Sequence, residues 1–186
     1  MAIQILRKKF TVGQYHQMIE SGILTDRDRV ELIKGEIIEM SPVGRRHAAC
    51  VDRLTELFVL SLASKAIVRT QNPIQLSNDS EPQPDLAVLR RRDDFYASGH
   101  PKSDDIFLVI EVSDTTVDFD REVKIPTYAE EGIAEAWLID LNAQTLEVYR
   151  QPKSSGYQSK QQFNRGQTIA VPGFPDVQFS IEQLLG

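Results

Sequence analysis

Glu111 is the most informative candidate for a catalytic or metal-binding residue, because it lies inside the otherwise apolar run IFLVIEV. An all-apolar run of this length is typical of a β-strand that is covered on both faces. A carboxylate buried there is costly unless a basic partner, a proton or a metal ion compensates it, or unless it escapes at the strand end. Taken alone, Glu111 is more simply interpreted as a strand-end residue that reaches solvent or a lysine.

Asp85 changes that interpretation. It follows Pro84 and precedes LAVL, a second apolar run that is joined to IFLVIEV by a loop. Consecutive strands of this kind pair antiparallel in the simplest topology, so the start of the first lies beside the end of the second. Two close carboxylates repel each other unless a cation lies between them. We therefore expect Asp85 and Glu111 to form a site for Mg²⁺ or Mn²⁺, although a Pro-Asp turn explains Asp85 alone.

The first half of the chain must supply the elements that position these acids. Thr11 and Gln14 form a capping-box pattern at the start of a helix that ends at Gly22. Lys34-Gly35 separates two short alternating runs, which predicts a β-hairpin. Apolar residues at steps of three and four predict a second helix from about Arg45 to Ala63.

The second half is dominated by predicted strands. The candidate segments are AIVRT, PIQL, LAVL, IFLVIEV and AWLID, followed by a meander of TLEVYR, YQSKQQF, QTIAV and VQF. Residues 118–131 look helical, with Pro126 expected to kink or restart the helix. We expect one α/β or α+β domain spanning residues 1–186, with a central mixed sheet flanked by helices and a C-terminal β meander.

Composition excludes several classes of protein. Lys+Arg number 21 and Asp+Glu 27, giving a net charge of −6, which argues against binding nucleic acid or membrane by bulk charge. The single cysteine, Cys50, excludes an internal disulfide and a multi-cysteine zinc site. No apolar run approaches the ~20 residues of a membrane span, and MAIQILRKKF does not resemble a signal peptide. We expect a cytoplasmic protein without membrane partners.

The order of these segments resembles the PD-(D/E)XK nuclease superfamily, which has the restriction-endonuclease-like fold. It is most similar to the small bacterial restriction endonucleases long catalogued as a domain of unknown function. The matching segments are VELIKGEIIEMSP, QPDLAVL, FLVIEVSDTT, DREVKIPTY and EGIAEAWLIDL. The resemblance implies a metal-dependent phosphodiester hydrolase whose metal ligands are Asp85, Glu111 and, by position, Glu31, with the backbone carbonyl of Val112.

The chain departs from the superfamily motif at one position. The motif has a lysine two residues after the glutamate, where this chain has Ser113. In such variants the resemblance implies a lysine from the following helix, and Lys124 fits. Without the resemblance, Lys124 would be interpreted as an exposed helix lysine paired with Asp120 or Glu131.

Three further residues are candidates for substrate contact. His47 follows Arg45-Arg46 at a helix start, near where the family carries a histidine; an exposed or capping histidine is equally consistent with the sequence. Ser113 and Tyr128 are the others, with core packing as the simpler role for Tyr128. His16 and His100 have no predicted role.

The sequence thus predicts a Mg²⁺- or Mn²⁺-dependent endonuclease acting on DNA, with Asp85, Glu111 and Lys124 as catalytic residues. A homodimer is expected, because cutting two strands often uses a two-fold pair of sites. The alternative is a nuclease fold without activity that binds nucleic acid or forms oligomers, which Ser113 and the acidic surface favour.

Overall fold

The computed structural model describes residues 7–25 and 27–186, so residues 1–6 and 26 of the predicted domain lie outside the described part. In chain order its main elements are α1 (Val12–Glu20), β1 (Val30–Ile33), β2 (Glu36–Glu39), α2 (Arg45–Leu62), β3 (Ile67–Thr70), β4 (Leu86–Leu89), β5 (Ile106–Ser113), α3 (Val117–Phe119), a π-helical turn (Asp120–Lys124), α4 (Ile125–Glu130), β6 (Glu135–Asp140), β7 (Thr145–Lys153), β8 (Gly156–Phe163), β9 (Thr168–Val171), β10 (Phe174–Ser180) and α5 (Ile181–Leu185). A single 3₁₀ turn, Ser103–Asp105, precedes β5.

The central sheet has six strands in the order β3-β4-β5-β6-β7-β8. The β5–β6 pair is parallel and the other pairs are antiparallel, which confirms the predicted mixed sheet. The predicted meander is divided: β7 and β8 extend the central sheet, whereas β9 and β10 form a separate two-stranded sheet. PIQL is not a strand, because its backbone N–H groups donate to loop carbonyls, including Ile74 to Pro82 and Gln75 to Pro101.

Helices cover both faces of the sheet. Buried residues of α2 and α5 pack with the β9–β10 pair on one face, together with Trp137 of β6. Ile125 and Tyr128 pack on the opposite face. Because apolar residues pack on both faces of the sheet, both sides of β5 contact the core, and IFLVIEV is therefore almost wholly apolar.

The β1–β2 hairpin packs beside α1 through Leu32, Val12 and Tyr15. Its turn residues Lys34 and Gly35 both have positive φ, 49° and 75°, as the two-residue turn requires. The predicted capping box of α1 is also present. The hairpin thereby carries Glu31 at a fixed register on β1, directly opposite Ile38.

Residues 117–130 form one helical segment, hereafter the 117–130 helix, in which α4 restarts at Ile125 with Pro126 in its first turn, as predicted. The π-helical turn immediately precedes α4, and the N–H of Ile125 donates to the carbonyl of Asp120, five residues back. Proline cannot donate a backbone hydrogen bond, but the first turn of a helix tolerates it, and Pro126 occupies the first turn of α4. π-Helical turns are frequent at functional sites.

No helix within the described ranges has both the length and the apolar character that crossing a membrane would require.

The α2 face makes a direct stability prediction. Phe58 is fully buried against Trp137 and Phe179, with ring centroids 6.1 Å and 4.9 Å away. Phe58→Ala should lower the free energy of unfolding by about 3–5 kcal/mol, because it leaves a cavity. The neighbouring Val59 is 45 % exposed, so Val59→Ala should change stability by less than about 0.5 kcal/mol. Urea unfolding of both variants measures the difference; equal effects would contradict the assigned helix orientation.

Candidate active site

Asp85 and Glu111 lie at the same end of the β4–β5 pair. The antiparallel register places Leu86 opposite Ile110, and continuing it by one residue places Asp85 opposite Glu111. Both acids line a cavity of about 630 Å³, whose walls also include Glu31, Asp120 and Lys124. The topology that the sequence predicted therefore brings all of the predicted metal-binding side chains to one cavity.

Lys124 is the positive centre of this cavity. Its Nζ lies 2.8 Å from Glu111 Oε1 and 3.5 Å from Glu31 Oε2, and it donates to the Gln83 carbonyl at 3.1 Å. Lys124 is only 5 % exposed, so it is not the solvated helix lysine of the simpler interpretation. The lysine that the motif position lacks thus reaches the glutamate from the 117–130 helix.

The charges at this point do not balance. Four buried or largely buried carboxylates, from Glu31, Asp85, Glu111 and Asp120, surround one buried ammonium group. Burial raises the pKa of Glu111 well above its usual range; Lys124 lowers it, whereas Asp120, Asp85 and Glu31 raise it further. Burial alone would lower the pKa of Lys124, but the surrounding carboxylates raise it, which keeps the amine charged. A further cation would relieve the excess negative charge.

Asp85 is held by His47 and by the end of β5. His47 Nε2 lies 3.0 Å from Asp85 Oδ2, which also accepts the Val112 N–H at 2.9 Å. Burial raises the pKa of Asp85, but His47, Lys124 and the Val112 N–H together bring it below its ordinary value. The hydrogen bond from Asp85 correspondingly raises the pKa of His47. Because the N–H and C=O of a strand residue point to the same strand edge, the Val112 carbonyl lies on the Asp85 side, as its predicted ligand role requires.

Asp120 is a member of the cavity that the sequence reasoning did not select. It is the first residue of the π-helical turn and accepts hydrogen bonds from the hydroxyls of Ser113 and Thr116. Burial raises its pKa. The signal in the sequence was its position four residues before Lys124, which places both side chains on one side of a helical turn.

Ser113 and Tyr128 lie behind the cavity wall. Both are fully buried; Ser113 donates to Asp120, and the Tyr128 hydroxyl donates to Glu111. Their burial argues against the predicted direct substrate contact and indicates that they orient the two carboxylates. His47, in contrast, lines the cavity and remains accessible to a substrate there.

The donor set fits Mg²⁺ or Mn²⁺, which prefer oxygen ligands and are commonly held by one or two carboxylates plus water and phosphate. Asp85 and Glu111 supply such a pair. Glu31 is held elsewhere, since its Oε2 accepts the Gln83 N–H at 2.9 Å. Among the described residues, no three acids of this cavity bring their oxygens within 4.8 Å of one another. The geometry therefore favours two protein carboxylates on the ion, with Glu31 positioning Lys124.

Comparisons with known proteins agree with this fold. A family model named Uma2 and described as "Putative restriction endonuclease" matches residues 12–182. A crystal structure of a protein from Anabaena variabilis, described as a putative nuclease belonging to DUF820, superposes with a TM-score of 0.73 at 20 % identity, covering 95 % of this chain and 97 % of that chain. At this identity the likeness shows the restriction-endonuclease-like fold. No curated protein sequence matches.

The charge imbalance predicts that Glu111 costs stability at neutral pH. Because the folded-state pKa is raised, stability falls as pH rises above the pKa of the unfolded carboxyl, ~4.3. Glu111→Gln should therefore match the wild type at the acid end. Because the wild type loses stability as pH rises from 5 to 8 and Gln does not titrate, the variant should exceed the wild type by about 0.5–2 kcal/mol at pH 8. Urea unfolding across this range measures the change.

The control is Glu135, a buried acid whose charge is satisfied. It accepts hydrogen bonds from Arg150 at 2.6 Å and 3.1 Å and from Trp137 at 2.6 Å. Glu135→Gln should lower stability by about 1–3 kcal/mol. If Glu111→Gln is also less stable than the wild type at every pH in this range, the inference that the Glu111 charge is uncompensated is refuted.

Proposed function

The chain belongs to the Uma2 family, described as "Putative restriction endonuclease", and on that premise we propose that it is a metal-dependent endonuclease that hydrolyses phosphodiester bonds in DNA. The observation that carries the proposal is the contact of the buried Lys124 ammonium with Glu111 at 2.8 Å, in the cavity that Asp85 also lines. A charged amine beside paired carboxylates is what hydrolysis of a phosphodiester requires, since negative charge develops on the phosphoryl oxygens.

Asp85 and Glu111 would hold Mg²⁺ or Mn²⁺, with the Val112 carbonyl beside them. When bound, the ion lowers the pKa of water and neutralises negative charge on the phosphate. His47 and the Val112 N–H fix the Asp85 carboxylate, and the Tyr128 hydroxyl fixes Glu111. These three contacts leave the carboxylates little freedom, so little reorganisation is needed when substrate arrives.

Lys124 would orient the attacking water or donate a hydrogen bond to a phosphoryl oxygen. Its raised pKa keeps it protonated throughout the physiological range, so it acts as a fixed charge and not as a base. Glu31 and the Gln83 carbonyl hold the amine from the other side. The lysine is therefore already placed before substrate binds.

The start of α2 supports a phosphate-bearing substrate. Its N-cap is Gly44, which lines the cavity and has no side chain to cap the helix. The first turn is Arg45, Arg46 and His47, without an acidic residue of its own, and Arg46 pairs with Asp114 at 2.9 Å. Positive charge at this end opposes the helix dipole, whereas an anion there is favourable. We infer that a DNA phosphate occupies this end, through local contacts that the overall charge of −6 does not prevent.

The alternative is an inactive nuclease fold that only binds nucleic acid or forms oligomers. Ser113 at the motif's lysine position favours it, but Lys124 supplies an amine to the same glutamate from the next helix. We therefore prefer the enzyme to the inactive module. A homodimer is the assembly that would cut two strands, and sedimentation of the purified chain tests it.

The proposal predicts metal-dependent cleavage of plasmid DNA. With Mg²⁺ or Mn²⁺ the wild type should convert supercoiled plasmid to nicked or linear forms, and EDTA should abolish this. Asp85→Asn, Glu111→Gln and Lys124→Met should each lower the rate by at least about 100-fold, because each removes charge stabilisation from the reaction. Gel assays of single-round cleavage measure the rates.

Glu122→Gln is the matched control, since Glu122 is an exposed acid on the same π-helical turn as Lys124. It should cleave at the wild-type rate after identical purification. Cleavage by Asp85→Asn equal to that of the wild type would identify a contaminating nuclease and end the catalytic assignment. Metal binding without cleavage by any chain would favour the inactive module.

A further inference from the structure

A second cluster of ligand-type side chains lies outside the cavity. His16 comes from α1, Glu81 from the loop before β4, and His100 from the long loop before β5. One ligand atom from each residue lies within 4.8 Å of the other two. None of the three lines the 630 Å³ cavity, so the cluster is separate from the candidate active site.

Glu81 is the centre of this cluster. Its side chain is 3 % exposed, and both carboxylate oxygens face His16 Nε2, at 2.9 Å and 3.0 Å. A histidine ring nitrogen can give only one proton to these two oxygens. A buried carboxylate is costly when it is so sparsely compensated. The backbone fixes Glu81 in place, since its N–H donates to the Leu32 carbonyl at 2.7 Å.

The two histidines approach Glu81 from different segments. Their rings lie 6.3 Å apart in an edge-to-face arrangement with an interplanar angle of 69°, so they are not stacked face to face. The His16 side chain is 41 % exposed, which gives an ion and its water ligands access from solvent. Three residues far apart in sequence thus present two nitrogens and one carboxylate to a single point.

We propose that His16, Glu81 and His100 bind one divalent transition-metal ion of the Zn²⁺ class. Two imidazole nitrogens and one carboxylate are a common zinc ligand set, with water in the remaining position. Imidazole ligands select against Mg²⁺, which prefers oxygen, so this site and the Asp85–Glu111 pair take different ions. The Arg69 guanidinium acts electrostatically on His100, and we expect its positive charge to weaken the binding of a cation.

The ion would tie α1 and the loop before β5 to the segment that leads into the cavity. Glu81 lies two residues before Gln83, whose backbone contacts Glu31 and Lys124. Binding should therefore raise the melting temperature, because the ion binds only the folded arrangement of three segments.

Calorimetric titration of Zn²⁺ into the tag-free, chelator-treated full chain tests the proposal, since a polyhistidine tag would bind Zn²⁺ itself. The wild type should bind one Zn²⁺ per chain at this site and melt at a higher temperature with it. His16→Asn, Glu81→Gln and His100→Asn should each weaken that binding by at least about 100-fold, since even indirect ligand contacts are worth 10–100-fold. Circular dichroism in EDTA verifies that each variant is folded.

His47→Asn is the control, because His47 is the remaining histidine of the 3 in the chain and lies in the candidate active site. It should keep the Zn²⁺ affinity and the rise in melting temperature. Absence of Zn²⁺ binding by the wild type at millimolar concentration overturns the proposal. So does binding that survives in folded His16→Asn and His100→Asn but is lost in His47→Asn. Each of these results leaves DNA cleavage with Mg²⁺ as a separate question.

Discussion

The enclosure of the Lys124 ammonium by carboxylates is the interaction on which the rest of the site depends. Each neighbour comes from a different element: Glu31 from β1, the Gln83 carbonyl from the segment before β4, and Glu111 from β5. A charged amine is tolerated at 5 % exposure only because these groups surround it. The hairpin, the central sheet and the 117–130 helix are therefore held in a common arrangement by one charge, in addition to their apolar packing.

The carboxylates around Lys124 outnumber the positive charge that they surround. This excess of negative charge distinguishes the cavity from the structural ion pairs of the same molecule. Glu135 and Arg150 form a pair whose hydrogen bonds are satisfied. Around Lys124, by contrast, burial and neighbouring carboxylates raise the pKa values of Glu111 and Asp120 together. A protein that optimised only stability would avoid this combination. The π-helical turn contributes to it, because it carries both Asp120 and Lys124.

Local patterns in the sequence were sufficient for most of the fold. The Lys34-Gly35 turn, the capping box of α1 and the antiparallel β4–β5 pair follow from short-range rules, and the β4–β5 pair brings Asp85 and Glu111 together. The pattern could not predict that β9 and β10 leave the central sheet, because strand order depends on long-range packing. A helix over residues 118–131 with a kink or restart at Pro126 was predicted, but the π-helical turn before Pro126 was not.

The sequence was less informative about contacts that only the tertiary structure creates. Ser113 and Tyr128 appeared as substrate contacts because they are polar residues near the motif, and burial gives them a supporting position instead. His16 and His100 lie on separate segments, and no spacing rule relates them to Glu81. Asp120 was visible only as a potential partner of Lys124. In each case the missing information was which side chains share one volume of space.

Gln83 belongs to this site through its backbone groups, so its residue type does not identify it as a site residue. It contacts Glu31 through its backbone N–H and Lys124 through its backbone carbonyl. Pro82 and Pro84 flank it and restrict the segment to extended conformations. Any residue other than proline supplies the same two backbone groups, so a substitution here would keep both contacts and lose only the hydrogen bond from the Gln83 side chain to the Gln71 carbonyl. Comparison of sequences alone would class it as unimportant.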